Sequence, residues 1–151
     1  DSLYVNAMMD VLKFFSEEER PFVLSSQGAS SIQNIAAIFV GWGVPFCTLL
    51  DRDNSGKEAA KVIKERFGED YILFVSKTDD ETIENLIADE DVETTCPDEM
   101  DIRQFRNSKT LRAERFAAAV GEGWRPSKKT CDAFDELFNC LEAYLNRIGE
   151  K

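Results

Sequence analysis

The chain has 151 residues, enough for one domain with a sizeable core, and its 43% hydrophobic and 31% charged residues are typical of globular proteins. Its 29 acidic and 18 basic residues give a net charge of −11, which opposes nonspecific binding to a polyanion because phosphate contacts need Lys and Arg. The absence of histidine removes the commonest general base and zinc ligand, so any catalysis must use carboxylates, lysine and metal.

Cysteine spacing and hydropathy predict the compartment. The four cysteines include no C-x-x-C pair, and this pattern indicates reduced thiols in a cytoplasmic protein. No apolar run reaches the length of about 18 residues that a membrane span requires, and no signal peptide is visible. We therefore expect a cytoplasmic protein with no membrane partner.

Apolar periodicity in the first half of the chain predicts alternating helices and strands. We predict helices over 2–15, 29–40 and 57–67, and strands over 22–26, 44–50 and 71–75. This alternation predicts an α/β fold with a short, mostly parallel sheet flanked by helices.

The second half shows helical patterns and loops but no strand signal. We predict a short helical segment over 82–87, an acidic loop over 88–101, a helix over 108–120, a break over 121–126 and a long helix over 127–148. This pattern predicts an α/β core over residues 1–105, with residues 106–151 as a helical C-terminal extension that packs on the same domain.

The central predicted strand, 44–50, runs directly into Asp51 and Asp53. Because side chains i and i+2 of an extended chain point to the same side, both carboxylates can face one point at the carboxyl end of the strand, where open α/β sheets bind ligands. Adjacent carboxylates repel each other, and a shared hard cation such as Mg²⁺ offsets that repulsion. The structural alternative is that Asp53, Asn54 or Ser55 only caps the next helix, which leaves Asp51 unexplained.

Several motifs resemble those of one family. The run Leu49–Gly56, with sequence LLDRDNSG, resembles the D-x-D motif of the Toprim domain. The segment 25–28 resembles the glycine-marked second strand of the OLD (overcoming lysogenization defect) nucleases, and 82–86 resembles their short I-E-D/N-L motif. Ser108-Lys109 at the start of a helix resembles their late lysine motif. The order and approximate spacing agree over roughly residues 1–120.

The resemblance implies a Toprim-like fold and cleavage of DNA phosphodiester bonds assisted by one or two Mg²⁺ or Mn²⁺ ions. It implies that Asp51, Asp53 and Glu84 are metal ligands and that Lys109 stabilises negative charge on the phosphate as a fourth catalytic residue. It further implies DNA as a partner, a homo-oligomer, a longer parent protein with an ATPase domain, and a setting in phage defence.

One departure from the family concerns the start of the chain. The Toprim fold opens with a strand that carries a Glu-Gly pair, and Asp1-Ser2-Leu3-Tyr4 resembles the segment that follows this strand. We therefore expect a fragment that lacks the first strand and its glutamate. We also expect such a fragment to be inactive unless another segment supplies that glutamate.

Two other functions remain open. In a Mg²⁺-dependent phosphohydrolase of the haloacid dehalogenase type, Asp51 would be the nucleophile and Asp53 the acid, with Ser76 and the Asp79-Asp80 pair in later motifs. That family has its D-x-D on the first strand, whereas strands and a helix precede it here. A non-catalytic Toprim-like assembly module is the third function, and the acidic net charge and the missing glutamate favour it.

The remaining polar residues near these motifs have simpler explanations. Asp79 and Asp80 precede a short helix, and acids at a helix N-terminus are favoured by the helix dipole. We assign Arg52 no role because strand alternation points it away from the two aspartates. We expect Lys57 to be solvated, although it could approach a phosphate.

Overall fold

The structure, a computed structural model, describes residues 2–25 and 29–149, and the described residues form an α/β fold with seven α-helices and two parallel strands. In chain order the elements are α1 (Ser2–Leu12), α2 (Ala29–Trp42), β1 (Thr48–Leu50), α3 (Asn54–Phe67), a 3-10 turn (Glu69–Tyr71), β2 (Ile72–Phe74), a second 3-10 turn (Ile83–Leu86), α4 (Asp89–Thr95), α5 (Ile102–Asn107), α6 (Lys109–Gly121) and α7 (Lys128–Gly149). None of the helices in the described residues combines the length and the apolar character that crossing a bilayer demands.

Internal contacts divide the chain into two compact units. Unit 1 combines Asp1–Ser25 with Ile83–Glu136, and unit 2 combines Ser26–Thr82 with Leu137–Lys151. Helix α7 thus begins in unit 1 and ends in unit 2. The division into 1–105 and 106–151 is a different partition that came from periodicity and family resemblance, and it stays a prediction.

Unit 2 contains the sheet. Strands β1 and β2 pair in parallel, in a register that places Leu50 opposite Phe74. The core beside them is formed by Leu50 and by small and branched residues of α3, with Ile63 fully buried. Because α3 offers alanines at its buried positions, its backbone can approach the strands closely. The predicted parallel pairing is confirmed for these two strands, each three residues long.

The predicted strands are longer than the observed ones. Residues 22–25 are irregular, and Phe22 is 88% exposed, so the strand expected over 22–26 is wrong in its described part. A period-2 pattern stabilises a strand only where one face is buried. The central strand begins at Thr48 rather than 44, because Gly43 adopts a φ of 65° and Pro45 has no N–H to donate. Residues 26–28, with the expected turn, lie outside the described part.

Unit 1 packs α1 against α6. The ring of Tyr4, which is almost fully buried, lies edge-on to Phe116 with a centroid distance of 5.2 Å. Helix α1 ends at Leu12 rather than at the expected residue 15, because Lys13 adopts a left-handed backbone with a φ of 48° and donates its N–H to the Met9 carbonyl.

The acidic segment expected to be a loop over 88–101 contains helix α4, so that expectation is wrong. The physical reason is Asp91, which is 3% exposed. Its carboxylate accepts hydrogen bonds from the Ser127 amide and hydroxyl, both at 2.8 Å, and from the Thr130 hydroxyl. The Thr130 hydroxyl oxygen in turn accepts from the Ala88 amide at 2.8 Å. This network ties the start of α4 to the start of α7.

We expect Asp91→Ala to lower the free energy of unfolding by about 3 kcal/mol, because three donors lose a charged acceptor in a buried place. Urea denaturation followed by circular dichroism measures the change. The matched control is Asp89→Ala, which removes an exposed carboxylate that pairs with Arg106 at 3.2 Å and should cost less than about 1 kcal/mol. Equal losses in the two variants would contradict a structural role for the Asp91 network.

Candidate functional site

The candidate site lies at the carboxyl edge of the sheet in unit 2. Because β1 and β2 are parallel, the segments that follow them emerge at the same edge. Two backbone hydrogen bonds join these segments: the Arg52 amide donates to the Glu81 carbonyl at 2.8 Å, and the Asp80 amide donates to the Arg52 carbonyl at 3.1 Å. The loop that follows β2 is therefore held against the Asp51–Asp53 segment.

Asp53 is the N-cap of α3. Its Oδ1 accepts a hydrogen bond from the Gly56 amide at 2.8 Å, and its backbone is extended with φ −81° and ψ −179°. The cap starts α3 at Asn54, three residues before the expected start. The capping interpretation is therefore correct for Asp53. The Gly56 amide occupies one of the roughly four acceptor positions of the Asp53 carboxylate, so the cap leaves room for Asp53 to bind a further ligand.

Gly56 sets the distance between α3 and the end of β1. A Cβ added at this buried residue would lie 1.9 Å from the Asp51 carbonyl oxygen and 2.9 Å from its carbonyl carbon. Only glycine permits this approach. The first turn of α3 consequently lies directly against the Asp51 backbone, and the positive end of the helix dipole faces the segment that carries both aspartates.

Two cations meet one acid beside the aspartate pair. Asp79 Oδ1 lies 3.1 Å from Lys57 Nζ and 3.0 Å from Arg52 Nε. Hydrogen bonds from Lys57 and Arg52 hold the pKa of Asp79 below its usual range. The Arg52 guanidinium also donates to the Ser76 carbonyl at 3.4 Å and lies over the Phe74 ring, 5.1 Å from its centroid. Arg52 is therefore held at this edge by contacts that strand alternation does not predict.

Parallel pairing was the signal that could have found the Arg52 contact. The expected strands 44–50 and 71–75 are followed by the segments that contain Arg52 and Ser76. When two strands are parallel neighbours, the segments that follow them emerge at the same edge of the sheet. Alternation along a single strand describes only the two faces of that strand. It does not describe a contact with the loop after the neighbouring strand, 27 residues away.

In unit 1 the structure brings together two of the residues predicted to be catalytic. Glu84 lies in the second 3-10 turn with its side chain 8% exposed, and its Oε2 lies 3.2 Å from Nζ of the exposed Lys109. Glu84 is thus not the solvated helix residue that its local sequence allowed. Burial raises the pKa of the neighbouring Tyr4 to about 12. The charge of Arg112 lowers this pKa, and the charge of Glu84 raises it.

The carboxylates fit a magnesium site in part. Within 2–25 and 29–149, no three His, Cys, Asp or Glu side chains form a group that could hold a metal ion. Magnesium in phosphoryl-transfer sites is commonly held by one or two carboxylates together with waters and substrate phosphates. Asp51 and Asp53 supply two carboxylates to the segment that follows β1. The predicted roles of Asp51, Asp53, Glu84 and Lys109 stay predictions.

Comparison of the chain with protein-family models, with curated proteins and with solved structures gives no match. The resemblance to Toprim domains and OLD nucleases therefore rests on the motif residues in this sequence.

We expect Asp53→Asn to leave the free energy of unfolding almost unchanged and Asp53→Ala to lower it by about 1 kcal/mol. Asparagine caps a helix about as well as aspartate, whereas alanine leaves the Gly56 amide without its acceptor. Urea denaturation of both variants measures the difference. An equal loss in both would show that the charge of Asp53, rather than its cap hydrogen bond, stabilises α3.

We expect Gly56→Ala to lower the free energy of unfolding by at least about 2 kcal/mol, because the new methyl group would overlap the Asp51 carbonyl. The matched control is Gly41→Ala in α2, where a Cβ has no heavy atom within 4 Å. Alanine there should raise stability by about 0.5 to 1 kcal/mol through helix propensity. Thermal or urea unfolding measures both, and a neutral Gly56→Ala would contradict the close approach.

Proposed function

We propose that this chain is the metal-dependent DNA endonuclease part of an OLD-type protein, with Asp51 and Asp53 as ligands of a Mg²⁺ or Mn²⁺ ion. One observation carries the proposal: both aspartates directly follow a strand at the carboxyl end of a parallel sheet, against the N-terminus of α3. Ligands of open α/β folds bind at such edges, and paired carboxylate oxygens suit a hard cation.

The residues of this chain have distinct tasks in the proposed reaction. Asp51 and Asp53 offer hard oxygen ligands, and the cap hydrogen bond with Gly56 restricts the orientation of the Asp53 carboxylate. When bound, a divalent cation supplies Lewis-acid polarisation of a phosphodiester. The family resemblance assigns Lys109 to stabilising negative charge on a phosphate oxygen, and within unit 1 its Nζ lies 3.2 Å from Glu84 Oε2.

A phosphohydrolase of the haloacid dehalogenase type is the second candidate, and one observation favours it. Ser76 lies just beyond β2, the strand that pairs directly with β1, so that a hydroxyl and the aspartate pair follow neighbouring strands. Asp51 would then attack a phosphate monoester and Asp53 would act as the acid. The engagement of Asp79 by Arg52 and Lys57 opposes a metal-ligand role for Asp79.

The proposal is tested by incubating supercoiled plasmid with Mn²⁺ and the protein, both as this chain and within the longer OLD-type protein that the proposal implies. For the longer protein we expect nicking that EDTA abolishes and that Asp51→Asn and Asp53→Asn each slow by about 100-fold or more, because each removes a charged ligand of the metal ion. Glu58→Gln, which removes an exposed acid from α3, is the control and should retain full activity.

Other outcomes would contradict the nuclease assignment. Nicking that survives both aspartate substitutions would place the activity elsewhere. Hydrolysis confined to small phosphate monoesters, and lost with Asp51→Asn, would favour the phosphohydrolase. Absence of both activities in that longer protein would favour a non-catalytic assembly module.

A further inference from the structure

Arg52 and Lys57 form a cationic fork in unit 2 whose two heads converge on one carboxylate oxygen. Both donors contact Asp79 Oδ1, at 3.0 and 3.1 Å, and Lys57 Nζ also lies 3.9 Å from Asp80. Two cations thus meet at one carboxylate oxygen in a chain whose net charge is −11. Arg52 lies between Asp51 and Asp53 in sequence, and the fork lies at the same edge of the sheet as this segment.

The Arg52 head is held by contacts that do not involve Asp79. Its backbone amide and carbonyl are bonded to Glu81 and Asp80, and its guanidinium donates to the Ser76 carbonyl and lies over the Phe74 ring. A guanidinium that is already oriented loses little freedom when it binds an anion, and its planar donors match the oxygens of a phosphate. Lys57 in the first turn of α3 adds a point charge where the helix dipole is positive.

Asp79 is a replaceable occupant of this fork. Its side chain is 67% exposed, and exposed ion pairs contribute little net stability because water and salt compete with them. A phosphate oxygen can accept from the same two donors, and charge-assisted hydrogen bonds to phosphate are among the stronger ones in proteins. The carboxylate thus takes the position that a phosphate oxygen could occupy.

We propose that Arg52 and Lys57 bind a phosphate group of a DNA backbone, which displaces the Asp79 carboxylate from the fork. The inference rests on the proposed nuclease function for its choice of a backbone diester, since it adds a phosphate contact beside the metal-ligand pair. The binding step itself requires no metal. Asp79 then acts as an internal competitor that weakens binding of DNA.

The test measures binding of a fluorescein-labelled oligonucleotide by anisotropy in EDTA over a series of salt concentrations. We expect Asp79→Asn to tighten binding about fivefold, since the competing charge is gone, and Lys57→Gln to weaken it about tenfold and reduce the salt slope by about one. Arg52→Gln should weaken binding at least as much, and circular dichroism checks that it folds. The charge-matched controls are Glu58→Gln for the acid and Lys61→Gln for the bases, both exposed on α3.

The inference is overturned if Asp79→Asn binds DNA no better than Glu58→Gln and Lys57→Gln binds no worse than Lys61→Gln. Competition with inorganic phosphate separates the two sources of the ligand. Displacement of DNA by millimolar phosphate in the wild type supports the fork, whereas phosphate binding without any DNA binding contradicts the backbone assignment. All these binding measurements are made without metal. If the nicking assay fails but the predicted changes in DNA affinity are observed, the phosphate-binding role of Arg52 and Lys57 still holds.

Discussion

The contact between Gly56 and the Asp51 backbone is the constraint on which the carboxyl edge of the sheet depends. Absence of a side chain at Gly56 lets the first turn of α3 lie directly against the end of β1. That closeness leaves room for only a short connection, and Asp53 fills it as the N-cap. It also brings Lys57, one turn into the helix, within reach of the loop that follows β2. One glycine thus positions two acids and one base.

Electrostatics at this edge follows from the same arrangement. The N-terminus of α3 favours negative charge, which supports two aspartates so close in sequence. At the same edge, the cations Arg52 and Lys57 pair with a third acid, Asp79. In unit 1 the negative charge of Glu84, which is nearly buried, is balanced by an ion pair with the exposed Lys109. Both units therefore carry acids that are paired or capped rather than simply solvated.

The sequence predicted those features that depend on local pattern. Apolar runs gave the two parallel strands, and 3.6-residue periodicity gave the long helix α7, which runs from Lys128 to Gly149. Helix α4 was missed because its acids are typical of a loop, while the groups that bury Asp91 lie 36 and 39 residues away. The fork was missed for the same reason. Partners distant in sequence decide whether a charged residue is buried or ion-paired, and no local pattern contains them.

The most direct test of the account is a titration with Mn²⁺ followed by the amide resonances of the protein, because a bound paramagnetic ion broadens nearby signals. If Asp51 and Asp53 hold the metal, substoichiometric Mn²⁺ should broaden the amides of 51–57 and 76–81 first, and Asp51→Asn should abolish this selectivity. Broadening spread over the acidic surface, or selective broadening that persists in Asp51→Asn, would contradict a metal site at the carboxyl edge of the sheet.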